Sequence, residues 1–278
     1  PQNGSLTLSV LKTIVNIRLS TIPTPINESL VLRLLPQKKN LAFQDLFLFP
    51  HSAKPLLTSI KEQHGLIILS GPTGVGKSTT IYSLLQVATE QYQRRVLTIE
   101  NPIEIQNDAF TQLEINEKAG ITFAEGIKAS LRQDPDIIFV GEIRDEITAK
   151  IVIKAALSGH LVVTTMHAKN TIGAIFRLLD FGIPLSDIKQ TLSIIATQEL
   201  INIICEQCGY DCNHEEHNQK RLALIEILSG QVLTEALYAI EQNKPLPTSY
   251  STLQTQRRKA IQEGFLLQKE NEMWLDTS

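Results

Sequence analysis

Gly71-Pro72-Thr73-Gly74-Val75-Gly76-Lys77-Ser78 sets two glycines with four residues between them, then a lysine and a hydroxyl residue. That spacing is the pattern of a phosphate-binding loop. Glycine at 71, 74 and 76 lets the backbone turn tightly and approach a phosphate with no side chain in the way. The exposed backbone N–H groups then form an anion-binding nest at the start of a helix, which Thr79 continues. Lys77 offers a point charge to β- and γ-phosphates. Ser78 offers a hydroxyl to Mg²⁺, an ion that keeps most of its waters.

Three further stretches carry chemistry. Asp136-Ile137-Ile138-Phe139-Val140-Gly141-Glu142 is an apolar strand ending in Gly-Glu. A carboxylate at that end organises Mg²⁺ and its water in nucleotide hydrolases. Glu142 stands at the right end, Asp136 at the wrong one, and Gly141 takes the place of the common aspartate. Leu97-Thr98-Ile99-Glu100-Asn101-Pro102-Ile103-Glu104 is a second strand, stopped by Pro102, that ends in carboxylates. Glu100 and Glu104 could orient or deprotonate an attacking water. The plainer reading of these acids is solvated carboxylates in loops. His160-Leu161-Val162-Val163-Thr164-Thr165-Met166-His167 puts a histidine at each end of a strand. His167, at the C-terminal end, is the candidate sensor of a γ-phosphate, and His160 reads as a structural hydrogen-bonder. Separately, Cys205-Glu206-Gln207-Cys208 is followed by Cys212, His214 and His217. Three thiolates and one imidazole suit a closed tetrahedral zinc site. His217 is the preferred fourth ligand, because its four-residue gap lets the chain fold back, and His214 is the alternative. Inert or redox-active cysteines are the other reading.

An alternation of strand and helix from Leu66 onward must position these groups. Strands are expected at 66–70, 95–100, 136–141 and 160–166, and helices at about 77–92, 122–133, 146–158 and 170–181. Such alternation makes an α/β fold, a parallel sheet with helices on both faces and the ligand at the C-terminal ends of the strands. A helix over 57–63, a helical then extended stretch over 185–204, and helices near 219–228 and 249–264 complete the reading. Upstream, β-type runs at 6–11, 14–19 and 29–35 are separated by turns with Pro23 and Pro25. The polar stretch 36–40 reads as a linker. The chain therefore divides into 1–36, part of a small α+β N-terminal domain; 37–44, a linker; 45–204, the phosphate-loop domain; and 205–278, the Cys/His cluster with a helical region.

Composition narrows the class. The 278 residues allow one large domain or two smaller ones, with 42% hydrophobic and 20% charged residues. A net charge of −3 gives no reason to expect direct nucleic-acid binding. No apolar run approaches the ~20 residues of a membrane span, and no signal peptide is read. Three cysteines, all between 205 and 212, argue against a disulfide framework and for a reducing compartment. The chain begins at Pro1, and its opening reads like the middle of a domain.

GPTGVGKST, TIENPIE, LRQDPDIIFVGEIRD and GHLVVTTMH, in this order and spacing, resemble the secretion-ATPase superfamily, the hexameric ATPases of type II secretion and type IV pilus assembly. The resemblance spans about residues 1–205. It implies a RecA-like domain with a Walker A loop over 71–79, an aspartate box at TIENPIE, an atypical Walker B ending in Gly-Glu and a histidine box. The implied roles are Lys77 and Ser78 on phosphate and Mg²⁺, Glu142 on Mg²⁺, Glu104 as the base-side carboxylate and His167 near the γ-phosphate. Arg18 and Arg33 match two arginines of the family's N-terminal domain that reach a nucleotide bound between domains or subunits. There they would stabilise charge as arginine fingers, although on the residues alone they also read as solvated arginines on strands. One departure stands out: Asn101 occupies a position where the family usually has aspartate. An asparagine can hold a water but cannot take a proton. The compact cysteine cluster is most like the competence-type members of Gram-positive bacteria. The resemblance thus implies ATP and Mg²⁺ as cofactors, a homo-hexamer, and a membrane platform protein as partner. It also implies a cytoplasmic position at the inner face of the cell membrane, and assembly of a pseudopilus for DNA uptake. A retraction-type pilus ATPase and a nucleotide-binding scaffold without turnover are the alternatives.

Overall fold

The computed structural model describes residues 2–10, 13–36, 41–204 and 221–267. The first of these form three strands, β1 (Gln2–Val10), β2 (Thr13–Pro23) and β3 (Glu28–Pro36), in an antiparallel sheet ordered β1-β2-β3. In that pairing Arg18 lies directly opposite Arg33, and Ser20 opposite Val31. Partners in an antiparallel pair point to the same face, so both guanidinium groups leave one side of the sheet. Among the described residues of 1–36 no helix is present.

After the linker stretch the chain enters its main body early. Phe43, inside the expected linker, is 4% exposed and packs with Phe47, their ring centroids 5.1 Å apart. Then come α1 (Lys54–Ser59), β4 (Gly65–Ser70), α2 (Lys77–Tyr92), β5 (Val96–Glu100), β6 (Thr111–Glu114), α3 (Phe123–Ser130) and β7 (Ile137–Val140). They are followed by α4 (Glu146–Leu157), β8 (Leu161–Met166), α5 (Thr171–Asp180), α6 (Leu185–Thr191) and β9 (Leu192–Asn202). The last elements are β10 (Arg221–Ser229), α7 (Gly230–Glu241) and α8 (Leu253–Gln262).

Seven strands form one sheet in the order β10-β9-β4-β8-β7-β5-β6, parallel except for the antiparallel β9–β10 pair. The unbroken apolar runs are what a sheet covered on both faces requires. In β4 every residue is buried, and its side chains alternate between two cores. Leu66 and Ile68 join α4, α5, α6 and α7 on one face, while Ile67 and Leu69 join α1 and α2 on the other. The sheet order places β4 between β8 and β9, with β7 next beyond β8, so the loops after β4, β7 and β8 emerge side by side.

The expected helix near 219–228 is instead strand β10, lying beyond the expected end of the phosphate-loop domain at 204. Its run Leu222-Ala223-Leu224-Ile225-Glu226-Ile227-Leu228 carries bulky apolar groups on both faces and no polar stripe of helical period. Short apolar runs of this kind are ambiguous until a pairing partner is known. Here nine residues pair with β9 from Arg221↔Asn202 to Ser229↔Ile194. The helix the sequence reading lacked follows directly: α7 buries Leu233, Ala236 and Leu237 at helical spacing. Glu226, 3% exposed within β10, accepts hydrogen bonds from Thr171 N (3.0 Å), Thr171 Oγ1 (2.6 Å) and Leu253 N (3.1 Å). It thereby serves the N-termini of α5 and α8 together, where a carboxylate matches the positive end of each helix dipole.

Candidate active site

Leaving β4, the chain turns through Gly71 (φ +138°), Gly74 (φ +83°) and Gly76 (φ +84°) and enters α2 at Lys77. Among the described residues no side chain caps the N-terminus of α2, so its first N–H groups face outward as donors. The Lys77 ammonium donates to Gly71 O (2.6 Å) and Pro72 O (2.8 Å). Burial pushes its pKa below the usual lysine range, against the opposing pull of Glu142 and Glu104.

Glu142, just past β7, is held from both sides. Its Oε1 lies 2.8 Å from His167 Nε2, and its Oε2 accepts from Arg144 Nε at 2.8 Å. The loops carrying this group are cross-tied. Thr165 Oγ1 donates to Gly141 O (2.6 Å), Ile143 N to Thr165 O (2.9 Å), and Ser70 Oγ to Ala168 O (3.3 Å). His167, Glu142 and the phosphate loop therefore sit on strands that fix their spacing. His160 lies at the opposite end of β8, where its Nδ1 is 3.1 Å from Ser158 Oγ.

The two acids around Pro102 part company. Glu100 is 4% exposed, and its Oε1 accepts from Tyr82 OH (2.6 Å) and Thr98 Oγ1 (2.7 Å). Gln112 Nε2 extends this network to Tyr82 OH at 2.9 Å. Glu104 is the more open carboxylate, with a side chain 41% exposed, 3.7 Å from Arg18 Nη2. Burial pushes the Glu100 carboxyl above the usual range, a shift resisted by its hydrogen bonds. A carboxyl raised in the fold adds stability below its unfolded pKa and loses that contribution as pH rises through the folded value. Glu100→Gln keeps an acceptor for Tyr82 and Thr98 and removes the ionisation. We expect the melting temperature of this variant, relative to the unsubstituted protein, to rise as pH increases from the usual carboxylate range upward. Thermal melts across that range check it, and a difference that stays flat would count against a buried ionising Glu100.

A cavity of about 660 Å³ joins these parts. Its walls include Thr73, Gly74, Gly76, Lys77, Ser78 and Thr79 from the loop, with Glu104, Glu142 and His167 from the strand ends. Arg18 and Arg33 close it from the N-terminal sheet. Arg18 also donates weakly to Pro102 O at 3.4 Å, and its Nε is buried without a hydrogen-bond partner among the described residues. Asn101 lines the same cavity. Gly74 has open space where a side chain would sit. This donor set fits a nucleoside triphosphate with Mg²⁺: backbone N–H groups and cations for the phosphates, a hydroxyl and a carboxylate for the metal. Ser78 and Glu142 are the residues that would hold the ion, which would neutralise phosphate charge when bound.

Pro72 and Val75 complete the loop, Val75 being 8% exposed beneath it. Sequence reading missed three contributors: Arg144, which pairs with Glu142; Arg221, which lines the cavity from the start of β10; and Gln198 beneath the loop. Gln198 sits within the polar triplet Thr197-Gln198-Glu199 of β9, so its residue type alone did not single it out. The cluster Cys205, Cys208, Cys212 and His217, with His214, lies outside the described residues. Among the described residues no group of three or more His, Cys, Asp or Glu is arranged to hold a metal ion. Nor, among them, is any helix long and apolar enough to cross a membrane.

The sequence pattern of the type II/IV secretion system protein family, T2SSE, matches residues 1–273. Competence protein ComGA of Bacillus subtilis is 42% identical over 279 aligned positions, covering 99% of this chain and 78% of that protein. Type II secretion system protein E of Dickeya dadantii is 39% identical, covering 80% of this chain and 45% of that protein. Among solved structures, the Legionella pneumophila ATPase DotB superposes with a TM-score of 0.78 at 21% identity, over 99% of this chain and 78% of that one. The pilus retraction motor PilT, solved with bound ADP, gives 0.74 at 26% identity, over 97% and 76%.

Proposed function

The chain belongs to the type II/IV secretion system protein family and is an ATPase, and from that premise we propose that it powers assembly of a competence-type pseudopilus for DNA uptake. The observation that carries the reading is the single cavity lined by the phosphate loop, the Glu142–His167 pair and Arg18 with Arg33. Similarity supports the competence branch: the ComGA protein of Bacillus subtilis is 42% identical over almost the whole chain, whereas PilT is 26% identical.

In this proposal six copies form a ring at the cytoplasmic face of the cell membrane and act on a platform protein there. Lys77 and the loop N–H groups hold the phosphates. Glu142, with Ser78, would hold Mg²⁺, which would neutralise phosphate charge, and its bond to His167 keeps that ring directed into the cavity. Glu104 is the carboxylate to which the attacking water gives its proton. Arg18 and Arg33 bring positive charge to the phosphates when the N-terminal sheet closes over the loop, so turnover follows the position of that sheet. Asn101 holds water by hydrogen bond and leaves proton transfer to Glu104.

Cells making a turnover-deficient form in place of the natural protein test the reading. Uptake of added DNA is expected to fall to the background of cells lacking the protein. Uptake at the unsubstituted level, in cells where the variant is present in normal amount, would overturn it.

A further inference from the structure

We propose that Gln198 is a positioning residue for nucleotide binding, fixing the peptide plane between Val75 and Gly76 so that the Gly76 N–H faces the phosphates. The inference rests on the reading of the loop as the nucleotide site.

Gln198 is 1% exposed on β9, the strand beside β4. Its carboxamide makes two bonds in opposite senses. Nε2 donates to Val75 O at 2.6 Å, and Oε1 accepts from Thr80 Oγ1 at 2.7 Å. The first bond fixes the amide's orientation, because a carbonyl oxygen only accepts and so must face the NH₂. The Thr80 hydroxyl then donates to the amide oxygen and anchors it to α2. A trans peptide is planar, and its C=O and N–H point in opposite directions. Tying Val75 O down to Gln198 therefore turns the Gly76 N–H away from the sheet, toward the side on which the loop binds anions.

The loop lies on Gln198 closely enough to exclude side chains. A Cβ at Gly71 would sit 2.5 Å from Gln198 O, and one at Gly76 would sit 3.2 Å from Gln198 Nε2. Both glycines also hold positive φ, +138° and +84°. Two of the loop's three glycines thus answer to the same residue of a strand more than a hundred positions away. A loop resting on hydrophobic packing alone would have no directional partner for Val75 O. That buried carbonyl would then compete with the phosphates for the orientation of its own peptide.

Gln198→Leu keeps the volume and removes both bonds. Binding of fluorescent mant-ADP and mant-ATP should weaken by ~10-fold or more, and by the same factor, because the Gly76 N–H serves phosphates common to both. In turnover the loss should appear in KM, with kcat at saturation changed only a few-fold. Thr80→Val, which releases the amide oxygen from α2, should weaken both nucleotides by about 3-fold. Binding by the unsubstituted protein tests the nucleotide reading independently of Gln198. The inference is overturned if folded Gln198→Leu binds both nucleotides within 2-fold of the unsubstituted protein. Should Gln198→Leu not fold, unchanged affinity in Thr80→Val overturns it.

Discussion

Glu142→Gln is expected to keep Mg-ATP bound and to lower ATP turnover by ~10²-fold or more. The amide preserves the size of the side chain and can still meet one neighbour. It cannot carry the charge that holds both His167 and Arg144 at 2.8 Å, nor complete the acidic side of a metal shell. Lys77→Ala is the contrasting case. It removes the ammonium seated among the loop carbonyls, and nucleotide affinity itself should fall, because a phosphate charge loses its direct counter-charge. The pair separates binding from chemistry. Equilibrium binding with mant-ATP, alongside phosphate release from purified protein, measures both. Wild-type turnover in Glu142→Gln would remove Glu142 from the mechanism.

Alanine at Arg18 or Arg33 should cut turnover by ~10²-fold or more while changing ATP affinity far less, since a charge delivered late acts mainly on the transition state. The two are register partners and line the same cavity as the chain's own phosphate loop. This makes the outcome of a subunit-mixing experiment specific. Subunits with both arginines replaced, mixed with Lys77→Ala subunits, should show no rescue, because neither kind holds a complete cavity. Native mass spectrometry of the mixture establishes that mixed assemblies have formed. Recovery of turnover in such assemblies would mean that the arginines serve a neighbour's nucleotide instead. Unchanged turnover in both single variants would leave them as solvated arginines.

Much of the site was legible because its determinants are local. The phosphate loop is a contiguous set of turn-forming glycines leading into a helix. The carboxylates and His167 mark the ends of apolar runs whose length and composition identify them as strands. Strands read at 66–70, 95–100, 136–141 and 160–166 lie within a residue or so of those observed. Two β-type runs joined by a proline turn made a hairpin legible near Arg18 and Arg33, while their direct register is seen only in the folded sheet.

Other features depended on partners distant in the chain. β10 could not be told from a helix because a short, largely apolar run satisfies either until β9 supplies its hydrogen bonds. Glu100 and Glu104 stand four residues apart with the same chemistry. Only the packing of Tyr82 over β5 made one a buried hydrogen-bonded carboxyl and left the other open to the cavity. Gln198 lies 123 residues from the carbonyl it holds, and no local pattern relates the two. The sequence by itself therefore determined which groups can do chemistry and at which strand ends they stand. The tertiary structure decided which of them face the cavity and what holds the loop, because burial and hydrogen-bond direction are set by neighbours that only the folded sheet brings together.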